Sequence, residues 1–503
     1  MKVKWAFFMT SCLIAVFLML GASPAGAVPP DFAGGVANEY KYQEMVFLTG
    51  VPIKFSGTIK QTEKVKGDLT TLTYDFTLTP EDKSITGKFS RKMSYKISSS
   101  KDAEVGQTLT ETEVGTFKES ITINGVKYDL KDLQFYKSDA IDNRPASDYY
   151  SGSVQARKTY VINKNQGEVI VDISGGDVGY NNFWGSTQTQ VLDYNISQTR
   201  TIEATKTAQS QKESWQGTVK VTVSDSTDKS LQYNENLATL SSFNGSYTRV
   251  TRGEMASQYS YDLPTIIEGV ADDTQRNIDQ VSLNMEKVPK VEKLLIPKFR
   301  DTGGHWAEDY IGQLFSLGVF EGDSKFFAPD APISRMDFIR ALVRICDIRA
   351  NQAEDKKKTS KKAPAEVSPF TDVPTSSTDY QYVKAAVEKG LTIGVSDSLF
   401  GADLDVDRAQ AIHMLIKALG FEDKVPTPGF STSFADEDQI PIWCFDSVYV
   451  AAEIGLISGD STNRLNSQKV MTRGEASAML VRFLKILQSD LQKDYRENIV
   501  LFN

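Results

Sequence analysis

Cysteine and histidine are almost absent from this chain, with three cysteines and two histidines in 503 residues. So few thiols exclude a disulfide scaffold and any four-cysteine zinc or cluster site. Both histidines, His305 and His413, lie in the second part of the chain, as do Cys346 and Cys444. A Ser-His-Asp triad, a Cys-His pair and a histidine-ligated zinc are therefore excluded within residues 28–304. Carboxylate-only chemistry, of the kind glycosidases use, survives that test. Basic charge is not in excess either: 56 Lys and Arg stand against 65 Asp and Glu, a formal net charge of −9. Such a balance argues against a nucleic-acid partner. Long apolar runs are confined to the beginning of the chain.

That beginning reads as an export signal over residues 1–27. Lys2 and Lys4 precede an uncharged, mostly apolar run from Ala6 to Leu20, and Ala25-Gly26-Ala27 offers a small-x-small cleavage site. The run is short for a membrane span, and Cys12 lies inside it, which argues against a lipid anchor. The expectation is a secreted protein with no integral membrane segment after cleavage.

Residues 28–265 are rich in Thr, Ser, Tyr, Val and Gly and carry alternating runs such as Leu72-Thr73-Tyr74-Asp75-Phe76-Thr77-Leu78. Period-two patterning predicts antiparallel strands with one wet face, as an all-β sandwich or an extended sheet. Asn124-Gly125 between two such runs is a strong hairpin signal. An aromatic-x-Gly-Ser/Thr pattern recurs at Phe55, Tyr150, Phe183, Trp215 and Phe243. Packed aromatics beside a strand glycine explain it more simply than a row of exposed sugar-stacking rings. Residues 266–296 read as a connector. Acidic stretches such as Asp225 to Asp228 could attract calcium, but they have no EF-hand or nonapeptide signature. Neither a metal nor a cofactor is expected, and no catalytic residue can be named.

The last 200 or so residues contain one unit three times. Each copy opens with Phe-x-Asp, at Phe299-Arg300-Asp301, Phe370-Thr371-Asp372 and Phe434-Ala435-Asp436; the phenylalanines are 71 and 64 residues apart. A helical pattern follows and ends in Gly-x-x-x-Gly, at Gly318/Gly322, Gly390/Gly394 and Gly455/Gly459. In the first copy Trp306, Tyr310, Leu314 and Leu317 fall on one face at helical spacing. A second helix then starts with a capping box or a near variant of one: Ser334 with Asp337, Asp407 with Gln410, Thr472 with Glu475. A helix pair of this size cannot bury its apolar faces alone, so the copies should pack together. Arg335, Arg408 and Arg473 occupy the first position of that second helix, where the helix dipole disfavours a cation. An arginine beside free N–H groups makes an anion site. The structural alternative is a bridge from each arginine to a neighbouring copy, for instance to its Phe-x-Asp carboxylate.

These motifs resemble S-layer homology (SLH) repeats, over roughly residues 297–487. The carriers are Phe-x-Asp, Trp306 and Trp443, the glycine pairs, and the segments Ser334-Arg335-Met336-Asp337, Asp407-Arg408-Ala409-Gln410 and Thr472-Arg473-Gly474-Glu475. The resemblance implies an all-α three-repeat bundle with pseudo-threefold symmetry that holds an exported protein to the bacterial cell wall. The implied ligand is a secondary cell-wall polysaccharide bearing pyruvate ketals, bound without covalent chemistry in grooves between copies. Arg335, Arg408 and Arg473, Asp301, Asp372 and Asp436, Gly322, Gly394 and Gly459, Trp306 and Trp443 carry over as the ligand-binding positions. Copy two departs from the pattern: Thr378 stands where the tryptophan should be, so Arg408 is expected to matter least.

The implied division is repeat 1 at 297–349, a lysine-rich loop at 350–367, repeat 2 at 368–423, repeat 3 at 432–487 and a tail at 488–503. The loop holds Lys356-Lys357-Lys358 and Lys361-Lys362 and reads as solvated. Cys346 and Cys444 lie in apolar helical settings and read as buried thiols. The whole is expected to be a wall-anchored surface protein displaying a β-rich structural or adhesive half. Other surface-layer proteins are further candidate partners, and a wall-anchored carboxylate-dependent polysaccharide-acting enzyme is the alternative.

Overall fold

The computed structural model describes residues 34–102, 106–202, 211–234, 246–267, 270–296, 298–322, 324–348, 366–426 and 429–491. The expected signal at 1–27, nearly all of the lysine-rich loop, Phe243-Asn244-Gly245 and the tail beyond 491 lie outside the described residues.

The β half is one sheet rather than a sandwich of two. Its strands are β1 (Val36–Ala37), β2 (Tyr42–Val46), β3 (Ile53–Lys66), β4 (Leu69–Pro80), β5 (Gly87–Asp102), β6 (Gln107–Ile123) and β7 (Val126–Asn143). They continue as β8 (Asp148–Ile162), β9 (Gly167–Asn181), β10 (Gly185–Ile202), β11 (Gln211–Asn234), β12 (Ser246–Ile267), β13 (Val270–Glu286) and β14 (Lys290–Leu294). Strands β1 to β13 pair antiparallel in sequence order, and β14 folds back onto β12. The stretch read as a connector is therefore β13 and β14. Its apolar residues are too sparse for periodicity to show, and backbone pairing to the long β12 makes it a strand.

Twist curls this meander onto itself. Tyr259 on β12 donates to the Gly34 carbonyl at 2.6 Å, Asn38 donates to the Glu286 carbonyl at 3.2 Å, and Phe47 packs against Tyr259 and Tyr261. The inner face buries Phe55, Phe76, Phe89, Tyr95, Trp215 and Tyr259 in one core. Two bulges keep the alternation aimed inward. Gly115 on β6 and Lys131 on β7 have no cross-strand partner at the register shifts there, so Val114 and Phe117, and Leu130 and Leu133, share the inner face. Asn124 and Gly125 both adopt positive φ, 47° and 83°, and close the β6–β7 hairpin as expected. Where the aromatic-x-Gly pattern is described it marks packing. Phe55 and Trp215 are buried, Tyr150 and Phe183 are half-buried, and a Cβ at Gly57 would run into the Thr77 carbonyl.

The inner face also carries charge. Arg91 on β5 bonds Glu44 on β2 through Nη1 and Nη2, each at 2.8 Å, and Glu119 on β6 at 2.5 Å. Lys158 lies 3.4 Å from Glu119, and the Tyr160 hydroxyl also donates to it. Farther along the strands Lys137 bridges Asp139 at 2.7 Å and Asp177 at 2.9 Å, and the two carboxylates converge above Gly152, where a Cβ would collide with both. Asp225 and Asp228 belong to β11 rather than to a loop, and Asp225 pairs with Lys287 at 3.0 Å.

The second half is helical, with α1 (Glu308–Ser316), α2 (Arg335–Ile345), α3 (Tyr380–Glu388), α4 (Arg408–Leu419), α5 (Phe445–Glu453) and α6 (Arg473–Lys485). All three copies feed one hydrophobic core, because nine-residue helices such as α1, α3 and α5 bury too little alone. Gly318, Gly390 and Gly455 follow these helices at φ 70°, 70° and 71°, the left-handed position that ends a helix without a Cβ clash. Cys346 and Cys444 are buried free thiols. Trp184, between β9 and β10, enters the helical core and donates to the Ile345 carbonyl at 2.6 Å. Ala146 donates to Ala418 at 2.9 Å, and Gln488, beyond α6, donates to Lys229 on β11 at 2.9 Å. Among the described residues no helix is long and apolar enough to cross a membrane.

Candidate ligand grooves between the helical copies

Each motif helix begins on a side-chain cap. Ser334 accepts from the Asp337 amide at 3.1 Å, Asp407 from Gln410 at 2.8 Å and Thr472 from Glu475 at 3.2 Å. The reciprocal half of the capping box, Thr472 N–H to the Glu475 carboxylate at 3.0 Å, is recorded only in the third copy. Asp337, at the corresponding site of the first copy, pairs with Arg340 and Arg473 instead.

The opening aspartates point into their own copies. Asp301 accepts from the amides of Phe327 at 2.9 Å and Ala328 at 2.6 Å. Asp372 accepts from Phe400, Gly401 and Ala402 at 2.9, 2.8 and 3.0 Å. Asp436 accepts from Leu465 and Asn466 at 2.7 and 2.8 Å. Burial pushes each carboxyl up, and the backbone N–H bonds outweigh it, so all three sit below the usual aspartate range. These side chains hold the loop that leads to the motif helix, and their oxygens are already engaged.

The arginines do something else. Arg335 of copy one donates to Thr392 of copy two and lies 5.3 Å from the Phe400 ring centre. Arg408 of copy two donates to the Ser458 carbonyl of copy three at 3.2 Å. Arg473 of copy three donates to the Phe327 carbonyl of copy one at 3.0 Å, and to Asp337 at 2.9 Å. Thus each arginine reaches the next copy, and Thr392 and Ser458 lie within the Gly-x-x-x-Gly segments there. The bridge to a neighbouring copy exists, but it avoids the Phe-x-Asp carboxylates. Nε of Arg335 and Nε of Arg408 are buried without a hydrogen-bond partner, and burial lowers the pKa of both guanidinium groups. A buried donor left open in this way suits an added acceptor.

Trp306 is 59% exposed and Trp443 is 55% exposed. Trp306 therefore does not join the core stripe with Leu314; it precedes α1 and turns to solvent. Among the glycines, Gly394 at φ 62° is required by space, since a Cβ would sit 2.7 Å from the Leu399 carbonyl and the Phe370 ring. A Cβ at Gly459 would meet Asn463 at 2.6 Å, whereas that of Gly322 would meet nothing. Trp443 belongs to the copy that Arg408 reaches, and Trp306 to the copy that Arg473 reaches. The copy with Thr378 is reached by Arg335. Repeat n supplies the arginine that reaches repeat n+1, so the arginine facing the copy with Thr378 is Arg335, not Arg408.

Sequence reasoning missed the residue five positions after each motif arginine. It is Arg340 in α2, His413 in α4 and Ala478 in α6. Arg340 closes its groove with ion pairs to Asp379 at 2.6 Å and Asp337 at 2.8 Å. His413 packs against Trp443 instead. Aligning the copies on their arginines would have shown the variation. No cluster of three or more metal-ligating side chains occurs among the described residues.

The S-layer homology domain family model matches residues 298–339, 369–412 and 433–477. A protein of Bacillus sp. (strain KSM-635) named endoglucanase is 27% identical over 135 residues, which are 26% of this chain and 14% of that protein. The surface-layer 125 kDa protein of Lysinibacillus sphaericus is 24% identical over 202 residues, 39% of this chain and 16% of its own length. A cell surface protein of Thermoanaerobacter kivui is 28% identical over 132 residues, 26% of this chain and 17% of its own. The chain thus spans less than a fifth of each of these relatives. It carries three S-layer homology domains and is similar over part of its length to proteins named for the cell surface.

Proposed function

We propose, from three S-layer homology domains carried by one chain, that the helical half anchors this protein non-covalently to the cell wall by gripping an acidic secondary polysaccharide. The ligand enters grooves between successive copies, which form a pseudo-threefold bundle. The observation that carries the reading is the relay of motif arginines from each copy into the next, two of the copies so reached carrying an exposed tryptophan. An unpartnered guanidinium N–H takes a carboxylate such as that of a pyruvate ketal, and an exposed indole stacks on the apolar face of a sugar. Asp301, Asp372 and Asp436 act by holding the groove loops. The curled sheet is the displayed half, with a structural or adhesive role toward other surface proteins.

The test is a pull-down of the full chain with purified wall sacculi before and after extraction of the non-peptidoglycan polysaccharide. Binding is expected before extraction and lost after it. Arg408→Ala, where an open Nε coincides with a tryptophan on the copy it reaches, should weaken binding by about tenfold or more, as loss of a charge-assisted contact does. Arg335→Ala and Arg473→Ala, each with one of the two features, should weaken it less. Binding that survives extraction, or an Arg335→Ala loss that exceeds the other two, would overturn the reading.

The enzymatic alternative draws on relatives named for glycan hydrolysis. The buried acids Glu44 and Glu119 do not support it, since both are locked on cations around a cavity of about 50 Å³. That volume admits water rather than a sugar ring. Release of reducing ends from wall glycan by the full chain, sensitive to one acid substitution, would restore it.

A further inference from the structure

Both histidines of the chain lie beside the exposed tryptophans. His413 and Trp443 come from different copies; their ring centres are 5.4 Å apart with planes at 88°, an edge-to-face contact. His413 Nδ1 is 2.9 Å from the Ser447 hydroxyl on α5, so the imidazole is held at both ends of the groove wall. His413 follows Arg408 by five positions along α4, a rise of about 7.5 Å along the helix axis.

His305 is arranged differently. Its Nδ1 accepts from the Ala307 amide at 3.1 Å, Nε2 lies 3.3 Å from Asp330, and its ring is 5.5 Å from Trp306. Two carboxylates face it, Asp330 by contact and Asp301 through its charge. His413 faces Lys417 on its own helix and Glu422 just beyond it, while α5 and the turn Ile442–Cys444 present Ser447 and Trp443. Burial, then Lys417, moves its pKa below the ordinary histidine value, with Glu422 opposing. It is neutral at pH 7 and charges on acidification.

Resting on the anchoring reading above, we propose that His413 is a positioning residue of the groove between copies two and three. It fixes the Trp443 ring for stacking, and its protonation adds a cation that tightens the grip on an acidic polysaccharide. The groove between copies one and two has no such device: Arg340 stands at the equivalent position and is consumed by Asp337 and Asp379.

The test measures binding of the full chain to extracted wall polysaccharide from pH 7.5 to pH 5, beside the same polymer with its carboxyl groups reduced. Affinity of the natural chain for the acidic polymer should rise about three- to tenfold as pH falls, the range of one added charge pair. It should not rise for the reduced polymer. His413→Gln, which keeps a hydrogen-bonding group for Ser447 but no charge, should lose the pH step and about twofold in affinity at pH 7.5. His413→Ala should lose more, because the indole then lacks its support; unchanged thermal unfolding of the Gln variant shows that it folds. An equal pH step in the natural chain and His413→Gln overturns this inference and leaves the anchor standing. Absence of binding at every pH overturns both.

Discussion

A single carboxylate shows how far residue type constrains role. Asp436 is 2% exposed and accepts two backbone amides, so its removal leaves the buried Leu465 amide unpaired and the Asn466 amide without its carboxylate. Asp436→Ala should destabilise the helical half by about 3 kcal/mol, given 1.5–3 for each charged hydrogen bond and incomplete additivity. Urea unfolding followed by far-ultraviolet circular dichroism would measure it. A loss below about 1 kcal/mol would mean the carboxylate is free to serve a ligand instead. In the sheet, Glu119 is held down at about 2; burial opposes this, and Arg91, Lys158 and Tyr160 overcome it. A depressed carboxyl stabilises the fold above its unfolded pKa, and that contribution is lost as pH falls through the folded value. The β half should therefore hold to about pH 3 and then unfold. Glu119→Gln should cost roughly 3–5 kcal/mol by leaving Arg91 and Lys158 under-compensated, seen as a fall in melting temperature at pH 7. Asp139 has the opposite sign: burial raises its pKa, so whatever it contributes is present at low pH and lost as pH rises.

Elements were legible where local pattern and pairing agree. The Asn124-Gly125 hairpin, the helix-ending glycines and the three caps follow from backbone chemistry that needs no distant partner. β13 was not legible, because its residues, from Val270 through Asp272, Arg276 and Asp279 to Glu286, carry no clean alternation and its partner strand supplies the order. Trp306 was misplaced for a related reason. Helical spacing groups it with Leu314, yet the helix begins after it at Glu308, so no face includes it. The bulges at Gly115 and Lys131 were invisible too, since a one-residue slip shows only against the neighbouring strand.

At the scale of the whole molecule, the two halves share an interface centred on Trp184, which is 2% exposed and bonded to Ile345. It inserts from the β9–β10 hairpin beside the end of α2, while Gln488 ties the end of the helical half to β11. Trp184→Ala removes both the ring and its hydrogen bond and should cost about 3–5 kcal/mol. Calorimetry should show one unfolding transition in the natural chain and two in the variant. One transition in both would mean the coupling does not depend on this residue. Held rigidly in this way, the sheet would keep a fixed attitude to the helical half.

The amino-acid sequence by itself determined the strand-rich and helical halves, the threefold repeat and the chemistry that thiols and histidines could not supply. Those features rest on residue counts and on contacts within a few positions. Tertiary structure alone decided that the strands form one curled sheet, that each arginine serves the next copy, and that His413 meets Trp443. Each of these depends on which distant segments face one another. Side-chain periodicity specifies a buried face, but the partner that buries it is chosen only when loops, twist and core packing are satisfied together.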